Sequence, residues 1–478
     1  MPPNLAIPED LRAMLEVVRR NGRPRLVGGG VRDWLLGLAP NDFDIEVSGI
    51  DFETLHRTLA PFGPTDIVGR SFGVIKVRSR ATSEEYDFSL PRRESKTGAG
   101  HRGFIVAPDP ALSDAEASAR RDFTLNAIAL DPFTGALIDP HGGQRDLAAR
   151  ILRHTSEAFV EDPLRVLRAF QLAARFDFTL AAATANLCRT LSPAFTELPV
   201  ERVWVEWEKW AAKSTKPSRG LAVLAETSWL AHFPAIAALQ NTPQEPAWHP
   251  EGDVFTHTQH CLDALVALPD WPSSAPARKQ LLSFAVLAHD FGKPSTTAQV
   301  PKNGVPRWTS PGHEAAGGPI AVDFLRRLGA PLRFDAPVSA LVVNHLAHHH
   351  GAASLSDAAV RRLARRLHPT SIDDLAAVMR ADANGRPPLQ SPEILDRINE
   401  LVAKARHLEL ERLAPKPILL GRHLIALGRP AGPHFTKIIA AAFEAQLDGA
   451  FHDEASGTVW LQAFLASDPL TTLKSPSL

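Results

Sequence analysis

Cysteine is nearly missing from this chain. Cys188 and Cys261 are the two cysteines among 478 residues, and they lie far apart. They form no metal-type pair, and such sparse use fits a reducing cytoplasm. Long apolar runs are also missing. No stretch approaches the ~18 consecutive apolar residues a membrane helix needs, so no membrane partner is expected. The N-terminus, MPPNLAIPEDLRAML, lacks the basic-then-apolar pattern of a secretory signal. Charge of one sign is not in excess either: Lys+Arg number 52 against Asp+Glu 53. That balance excludes a non-specific polycation, but it leaves RNA binding open, because charge can be segregated between faces. Internal repeats and low-complexity tracts are absent from the sequence.

What remains has the composition of a soluble globular protein, 44% hydrophobic and 22% charged. At roughly 100–200 residues per domain, two to four domains are expected. Residues from 5 to 20 read as a helix with Leu11, Leu15 and Val18 on one side. RLVGGG running into VRDWLLG reads as a short strand, a glycine turn and a helix start. DFDIEV, GVIKVRS and EYDFSL alternate like strands. From about residue 155 onward strands vanish and helical spacing takes over, as in EDPLRVLRAFQLAARF and VERVWVEWEKWAAK. The fold class expected is therefore α+β: a small mixed sheet domain at the N-terminus, then an all-helical neck and body, then a second all-helical domain. The change from mixed α/β to helical spacing and the proline-rich linkers NTPQEPAWHP and GRPPLQSP give domains of 1–150, 151–245, 246–388 and 389–478.

The first constellation pairs a glycine turn with two aspartates. Gly28, Gly29 and Gly30 stand at a strand-to-helix turn, followed by Arg32. Such a turn lets backbone N–H groups approach a phosphate, and the helix start favours anions. Ten residues after Arg32 comes Asp42-Phe43-Asp44. On a strand, residues two apart share a face, so both carboxylates converge. Two hard oxygen ligands suit Mg²⁺, and two such ions can activate an attacking hydroxyl and neutralise a leaving pyrophosphate.

The segment LVGGGVRDWLLGLAPNDFDIEV resembles the nucleotidyltransferase motif of class II CCA-adding enzymes and bacterial poly(A) polymerases. The resemblance implies that Asp42 and Asp44 hold the metals and that Gly29 and Arg32 touch the triphosphate. Glu85 with Tyr86-Asp87, and then ESKTGAGHRGF, match the stretch where such enzymes carry a loop. RRDFTLNA matches a further family motif, in which Arg121 is implied to bind nucleotide.

The second constellation is Glu161-Asp162-Pro163-Leu164-Arg165-Val166-Leu167-Arg168. A helix start explains Asp162 as a cap and Pro163 at the first position. It does not explain Arg165 and Arg168 three apart on one face. Cytosine and adenine each present an exocyclic amine beside a ring-nitrogen acceptor. A carboxylate accepts from the amine and a guanidinium donates to the ring nitrogen. Uracil and guanine invert the pattern and leave buried partners unpaired, at about 1–3 kcal/mol per group. Asp162 with Arg165 can thus select C and A without a nucleic-acid template. The element is similar to the E-D-x-x-R of class II enzymes, which also implies nucleotide binding at Arg168. Relatives often carry a third arginine where this chain has Gln171, with Arg175 one turn later. Trp204, Trp207 and Trp210 read as a core stripe rather than an RNA platform.

The third constellation is ordered: His257, His289-Asp290, His313, His345, Asp382. Imidazole and carboxylate ligands suit Mn²⁺, Fe²⁺, Ni²⁺, Co²⁺ or Zn²⁺ with open water positions. The set resembles the HD phosphohydrolase superfamily. The resemblance implies His257, His289, Asp290 and Asp382 as core ligands, with His313 and His345 as candidates for a second metal. Among these ions Ni²⁺, Mn²⁺ or Co²⁺ are expected at that site, with Mg²⁺ at the transferase site. His348, His349 and His350 read as a solvated run.

The order transferase, neck, HD domain matches long bacterial CCA enzymes over about residues 24 to 450. The expected activity is addition of CCA to tRNA 3′ ends from CTP and ATP. The expected partners are tRNA and the two nucleotides, with the chain acting as a monomer or homodimer. Two rivals share the head: a poly(A) polymerase, whose basic C-terminal arm the tail ASDPLTTLKSPSL lacks, and an A-only adding enzyme. A nucleotide-sensing HD protein with a degenerate head is the rival from another class, and the intact Asp42 and Asp44 argue against it.

Overall fold

Five strands of alternating sequence build the sheet that carries the first constellation. They are β1 (Arg23–Val27), β2 (Asp44–Ser48), β3 (Thr65–Val68), β4 (Val74–Arg78) and β5 (Glu85–Ser89). β6 (Arg92–Lys96) and β7 (Phe104–Pro108) pair as a separate hairpin, and β8 (Ala129–Leu130) and β9 (Leu137–Ile138) complete the main sheet. Its order is β3-β4-β5-β2-β1-β8-β9. β2 and β5 run parallel and the other neighbours in this sheet are antiparallel. The computed structural model describes residues 5–40, 42–68, 73–96, 104–349 and 356–467. The expected loop within 94–104 and the non-basic tail fall largely outside these residues.

The period-2 pattern decides what each face does. In β2, Ile45 and Val47 are wholly buried on one face, while on the other Asp44 is exposed and Glu46 and Ser48 are buried. The helices Glu9–Val18 and Phe52–Leu59 cover the apolar face with Leu11, Met14, Leu15, Val18, Leu55 and Leu59. The carboxylate-bearing face is left for chemistry.

The chain divides into two compact units, Met1–His232 and Phe233–Leu478. The first ends in helices. Leu164–Phe176 and Val200–Lys213 meet through Phe170, whose ring lies 4.6 Å from Trp207 and 5.6 Å from Trp210. Both tryptophans are fully buried and Trp204 nearly so, so the stripe is core. Gly220 is required there, because a Cβ would stand 2.9 Å from the Phe170 ring.

The second unit is built on the helices Val254–Val266, Pro276–Ala288, His313–Arg327, Asp335–Asn344 and Ile372–Asn384. Strands do not vanish after residue 155 as expected. Ile151–Leu152 pairs with Thr179–Leu180, and a hairpin joins Ala298–Lys302 to Val305–Thr309. Its turn is Asn303-Gly304, both at positive φ, the dipeptide favoured in two-residue hairpins. Helical reading missed it because the first of its strands is exposed throughout and carries no apolar alternation. A smaller cluster of Leu419, Leu424, Ile438, Phe451 and Leu461 closes the C-terminal helices.

Candidate functional site

In the first unit, β1 ends at Val27, opposite Asp44, and the chain turns at Gly28 with φ +78°. β2 therefore begins at Asp44, and Asp42 lies just before the strand rather than within it. The glycines allow close approach. A Cβ on Gly28 would stand 2.9 Å from Asp44 Oδ2, and one on Gly30 would stand 2.7 Å from the Asp42 carbonyl. Gly29 has looser surroundings, its nearest neighbour being Arg32 Nη2 at 3.3 Å. The rim of Asp44 is open, yet its carboxyl titrates above the ordinary range. Desolvation by the packed backbone is the larger cause and the Asp42 charge the next, with Arg121 pulling the other way.

The parallel register adds a carboxylate that sequence reading left without a role. Asp87 on β5 pairs with Asp44. Lys76 Nζ lies 3.1 Å from both Asp87 and Glu85. The same-parity positions of EYDFS were the available signal, but a parallel neighbour cannot be read from one strand alone. Arg121 lies beside the Gly28 turn, with Nη2 3.7 Å from Glu46.

Arg32 is buried and its donors are engaged. Nη1 donates to Asn126 Oδ1 at 2.7 Å, Nε donates to Asp33 Oδ1 at 2.8 Å, and the guanidinium stacks 4.7 Å over Phe176. Arg175 reaches the other oxygen of Asp33 at 2.8 Å. Gln171 is buried in the helix interior, so Arg175 anchors Asp33 instead of restoring a charge at position 171.

The helix begins one residue later than expected, at Leu164 with Pro163 as its N-cap, so Asp162 precedes the cap, although it accepts from Leu164 N at 3.1 Å. Its other oxygen accepts from Arg202 Nη2 at 2.7 Å, a partner that sequence reading missed. Arg165 donates to the carbonyls of Ala158 and Arg120, both at 2.7 Å. Arg168 Nε donates to Asp122 Oδ2 at 2.6 Å. Asp162 and Arg165 share a helical start, but their polar ends turn to different protein partners.

The second unit brings the third constellation together. His257 and Cys261 lie one turn apart on one helix. His289-Asp290 ends another, His313 starts a third, His345 caps a fourth, and Asp382 lies on the fifth. All six predicted residues are buried. Three histidines spend Nδ1 on a carbonyl of their own neighbourhood: His289 on Val286 at 2.7 Å, His313 on Ser310 at 2.7 Å, and His345 on Val342 at 2.6 Å. That contact turns each Nε2 inward, the arrangement of a metal-binding imidazole. His313 Nε2 and His345 Nε2 stand 3.3 Å apart. Asp290 addresses both sides, with Oδ2 3.3 Å from His289 Nε2 and Oδ1 3.3 Å from His313 Nε2. His257 Nε2 lies 3.1 Å from Asp382 Oδ1.

Charge in the cluster is strongly displaced. Asp290 and Asp382 titrate well below the usual carboxylate range. Burial opposes this, but His289 with Lys293, and Arg386 with His257, outweigh it. Burial pushes His345 down to about 3, assisted by the charge on His289. His289 rises to about 10, because Asp290 overcomes its burial. Donor groups that draw positive charge this firmly fit divalent ions. His257, Cys261, His289 and Asp382 offer one group of donors, and Asp290, His313 and His345 another. His348 is buried, not solvated as expected, because the short turn Ala347–His349 packs against the helix Pro392–His407; His350 lies outside the described residues. A cavity of about 500 Å³ opens on the cluster, lined by Trp248, Trp308, Lys293, Arg386 and Arg397 among others.

Comparison with known proteins follows this layout. Residues 24–153 match the family described as the poly A polymerase head domain, and residues 177–239 the one described as a probable RNA and SrmB-binding site of polymerase A. The chain is 39% identical over 369 residues to the multifunctional CCA protein of Laribacter hongkongensis, spanning 76% of this chain and 85% of that one. It is 36% identical over 435 residues to that of Xanthomonas oryzae pv. oryzae, spanning 89% and 98%. The chain belongs to the multifunctional CCA protein family. Solved structures share the fold. The CCA-adding enzyme of Bacillus stearothermophilus in complex with CTP gives a TM-score of 0.64 at 23% identity, covering 96% of this chain and 99% of that one. The Thermotoga maritima enzyme complexed with tRNA gives 0.58 at 18%, covering 96% and 97%. Within this family the head occupies the β1–β9 region, where the glycine turn, Asp42 and Asp44 stand.

Proposed function

We propose that this chain adds CMP, CMP and AMP to a tRNA 3′ end, using CTP and ATP and releasing pyrophosphate. The observation that carries the reading is the close approach of Asp44 to the Gly28 turn, with Asp42, Asp87 and Arg121 beside it. Asp42 and Asp44 would hold Mg²⁺, which orients the triphosphate and stabilises charge on the leaving group. The Gly28–Gly30 turn lets the backbone stand against Asp44 and Asp42, and Arg121 supplies positive charge at the same edge. Arg32 braces the turn through Asp33 and Asn126. Asp162 and Arg165 select C and A by exchanging their present partners for the base edge. Arg168 holds the nucleotide-binding loop through Asp122. The division into a head at 1–150, neck and body at 151–245, HD domain at 246–388 and tail at 389–478 belongs to this reading. The RNA is held by shape and backbone contacts.

The second site is a metal-dependent phosphohydrolase. His257, His289, Asp290 and Asp382 would hold one ion, and His313 with His345 and Asp290 a second. Ni²⁺, Mn²⁺ or Co²⁺ suit the nitrogen and oxygen donors. When bound, the metal supplies a water acidic enough to act as hydroxide near neutral pH. Trp248 and Trp308 offer ring faces to a base, while Lys293, Arg386 and Arg397 offer charge to a phosphate. Phosphomonoesters or 2′,3′-cyclic phosphates on RNA ends fit that lining.

The deciding test uses tRNA transcripts ending before, within and one residue short of CCA, with Mg²⁺ and labelled CTP or ATP. Growth to CCA and no further is the expected product. A long A ladder makes the chain a poly(A) polymerase, and A addition to CC ends alone makes it an A-adding enzyme. No incorporation overturns the transferase reading.

A further inference from the structure

We propose that Cys261 is a ligand of the metal centre, its sulfur completing the group formed by His257, His289 and Asp382. The inference rests on reading that cluster as a metal centre. Cys261 follows His257 by one helical turn, so both side chains leave the same face. The residue is wholly buried, and Sγ lies 3.3 Å from His257 Nε2. Two ligands on one tetrahedral zinc ion, a nitrogen at about 2.1 Å and a sulfur at about 2.3 Å, stand about 3.6 Å apart. His257 Nε2 to Asp382 Oδ1, at 3.1 Å, is also near such an edge. The donor atoms of all four residues lie within 4.8 Å of one another.

Two further observations point into this space. His289 Nε2 is buried, makes no well-aligned hydrogen bond despite Asp290 Oδ2 at 3.3 Å, and belongs to the same donor group. Gly385 backs directly against the sulfur: a Cβ there would stand 2.3 Å from Sγ. The Gly385 carbonyl also lies 3.2 Å from His257 Nδ1, whose nearer partner is Glu251 Oε1 at 2.8 Å. The turn that ends the Asp382 helix thus fixes both the imidazole and the thiol. A cysteine serving only as a small apolar filler needs carbon neighbours; this one faces ring nitrogens and a carboxylate-bearing turn. On ligation the thiol gives its proton to solvent and a metal–sulfur bond forms. A soft thiolate added to these imidazole and carboxylate ligands shifts the preference of this position towards Zn²⁺, Co²⁺ or Fe²⁺ and away from Mg²⁺.

The test is X-ray absorption at the zinc edge of the full chain loaded with Zn²⁺, paired with the near-ultraviolet spectrum of the Co²⁺-loaded chain. The expected result is a sulfur shell at about 2.3 Å and a thiolate-to-cobalt charge-transfer band. Both disappear in Cys261→Val, whose zinc affinity by competition with a chromophoric chelator falls about tenfold or more. Zinc bound by nitrogen and oxygen alone in the wild-type chain, with no cobalt–thiolate band, overturns the inference and leaves the metal centre standing. A chain that binds neither ion overturns both. The wild-type spectra decide the matter even if the variant folds poorly.

Discussion

Arg168 Nε donates to Asp122 Oδ2 across 2.6 Å, tying the helix Leu164–Phe176 to the loop that carries Arg120 and Arg121. The same carboxylate accepts from Phe123 N at 2.8 Å and Asn126 Nδ2 at 2.9 Å, and Asn126 in turn accepts from Arg32. One buried carboxylate therefore joins the helix Leu164–Phe176 to the glycine turn.

Removing it should be costly. Asp122→Ala strands Arg168 and two N–H donors, and should lower stability by about 3–5 kcal/mol, read as a fall in denaturation midpoint. Although burial works against ionisation, Arg168 and the hydrogen bonds hold the folded carboxyl at about 2, below its ordinary 3.8. As pH falls, the unfolded chain takes up the proton first. The contribution is whole above about pH 4 and is lost as pH falls through 2. An acid titration of unfolding free energy should show Asp122→Asn losing less stability than wild type over that window.

Asp44→Ala should leave the fold almost intact, because the residue is exposed at the start of its strand. Nucleotide addition should drop about 10³-fold or more, the loss of several kcal/mol of charge stabilisation. Activity within tenfold of wild type, measured by single-turnover extension, would remove Asp44 from the site.

Three glycines separate conformational strain from close approach. A methyl group added to Gly28, at φ +78°, would stand within 3 Å of the Asp44 carboxylate, and one added to Gly30 within 3 Å of the Asp42 carbonyl, whereas Gly37, at φ +77°, faces open space. Gly37→Ala should cost only the left-handed penalty of about 1–2 kcal/mol with unchanged kcat. Gly28→Ala and Gly30→Ala should lower kcat and raise KM for CTP as well. Equal kinetic effects at all three positions would contradict a role for the turn in holding Asp42 and Asp44.

Asp162→Asn replaces two acceptors with one acceptor and one donor. Discrimination against UTP should fall by about 1–3 kcal/mol, roughly ten- to a hundredfold, when kcat/KM for CTP and UTP are compared. Arg202→Ala frees the same carboxylate from its 2.7 Å partner and should leave that ratio closer to wild type. If Asp162→Asn slows both nucleotides equally, the residue holds structure and does not read the base.

Metal binding in the second unit should depend on pH. His289, raised to about 10 chiefly because Asp290 outweighs its burial, must give up a proton before its Nε2 can bind an ion. Zn²⁺ affinity by calorimetry should rise between pH 6 and pH 8, with proton release seen as a buffer-dependent enthalpy. Chelation should abolish hydrolysis of a 2′,3′-cyclic nucleotide and lower the unfolding temperature. A pH-independent affinity would count against protonated histidine in the cluster.

The sequence by itself determined which residue types were available and in what order. The period-2 runs around Ile45 and Val77 specified strands with one apolar face, and the 3.6-residue spacing of Phe170, Trp207 and their neighbours specified buried helices. The spacing from the glycine turn to Asp44, and the order of His257, His289, Asp290 and Asp382, were legible because short-range geometry and side-chain chemistry are local. Tertiary structure decided the rest. The parallel register that sets Asp87 beside Asp44, the occupation of Asp162 by Arg202, the enclosure of Arg32 by Asp33 and Asn126, and the placing of Gly385 against Cys261 all join residues far apart in the chain or on separate elements. No local pattern encodes such pairings, because they depend on how whole strands and helices pack, and packing chooses among partners that the sequence leaves equally possible.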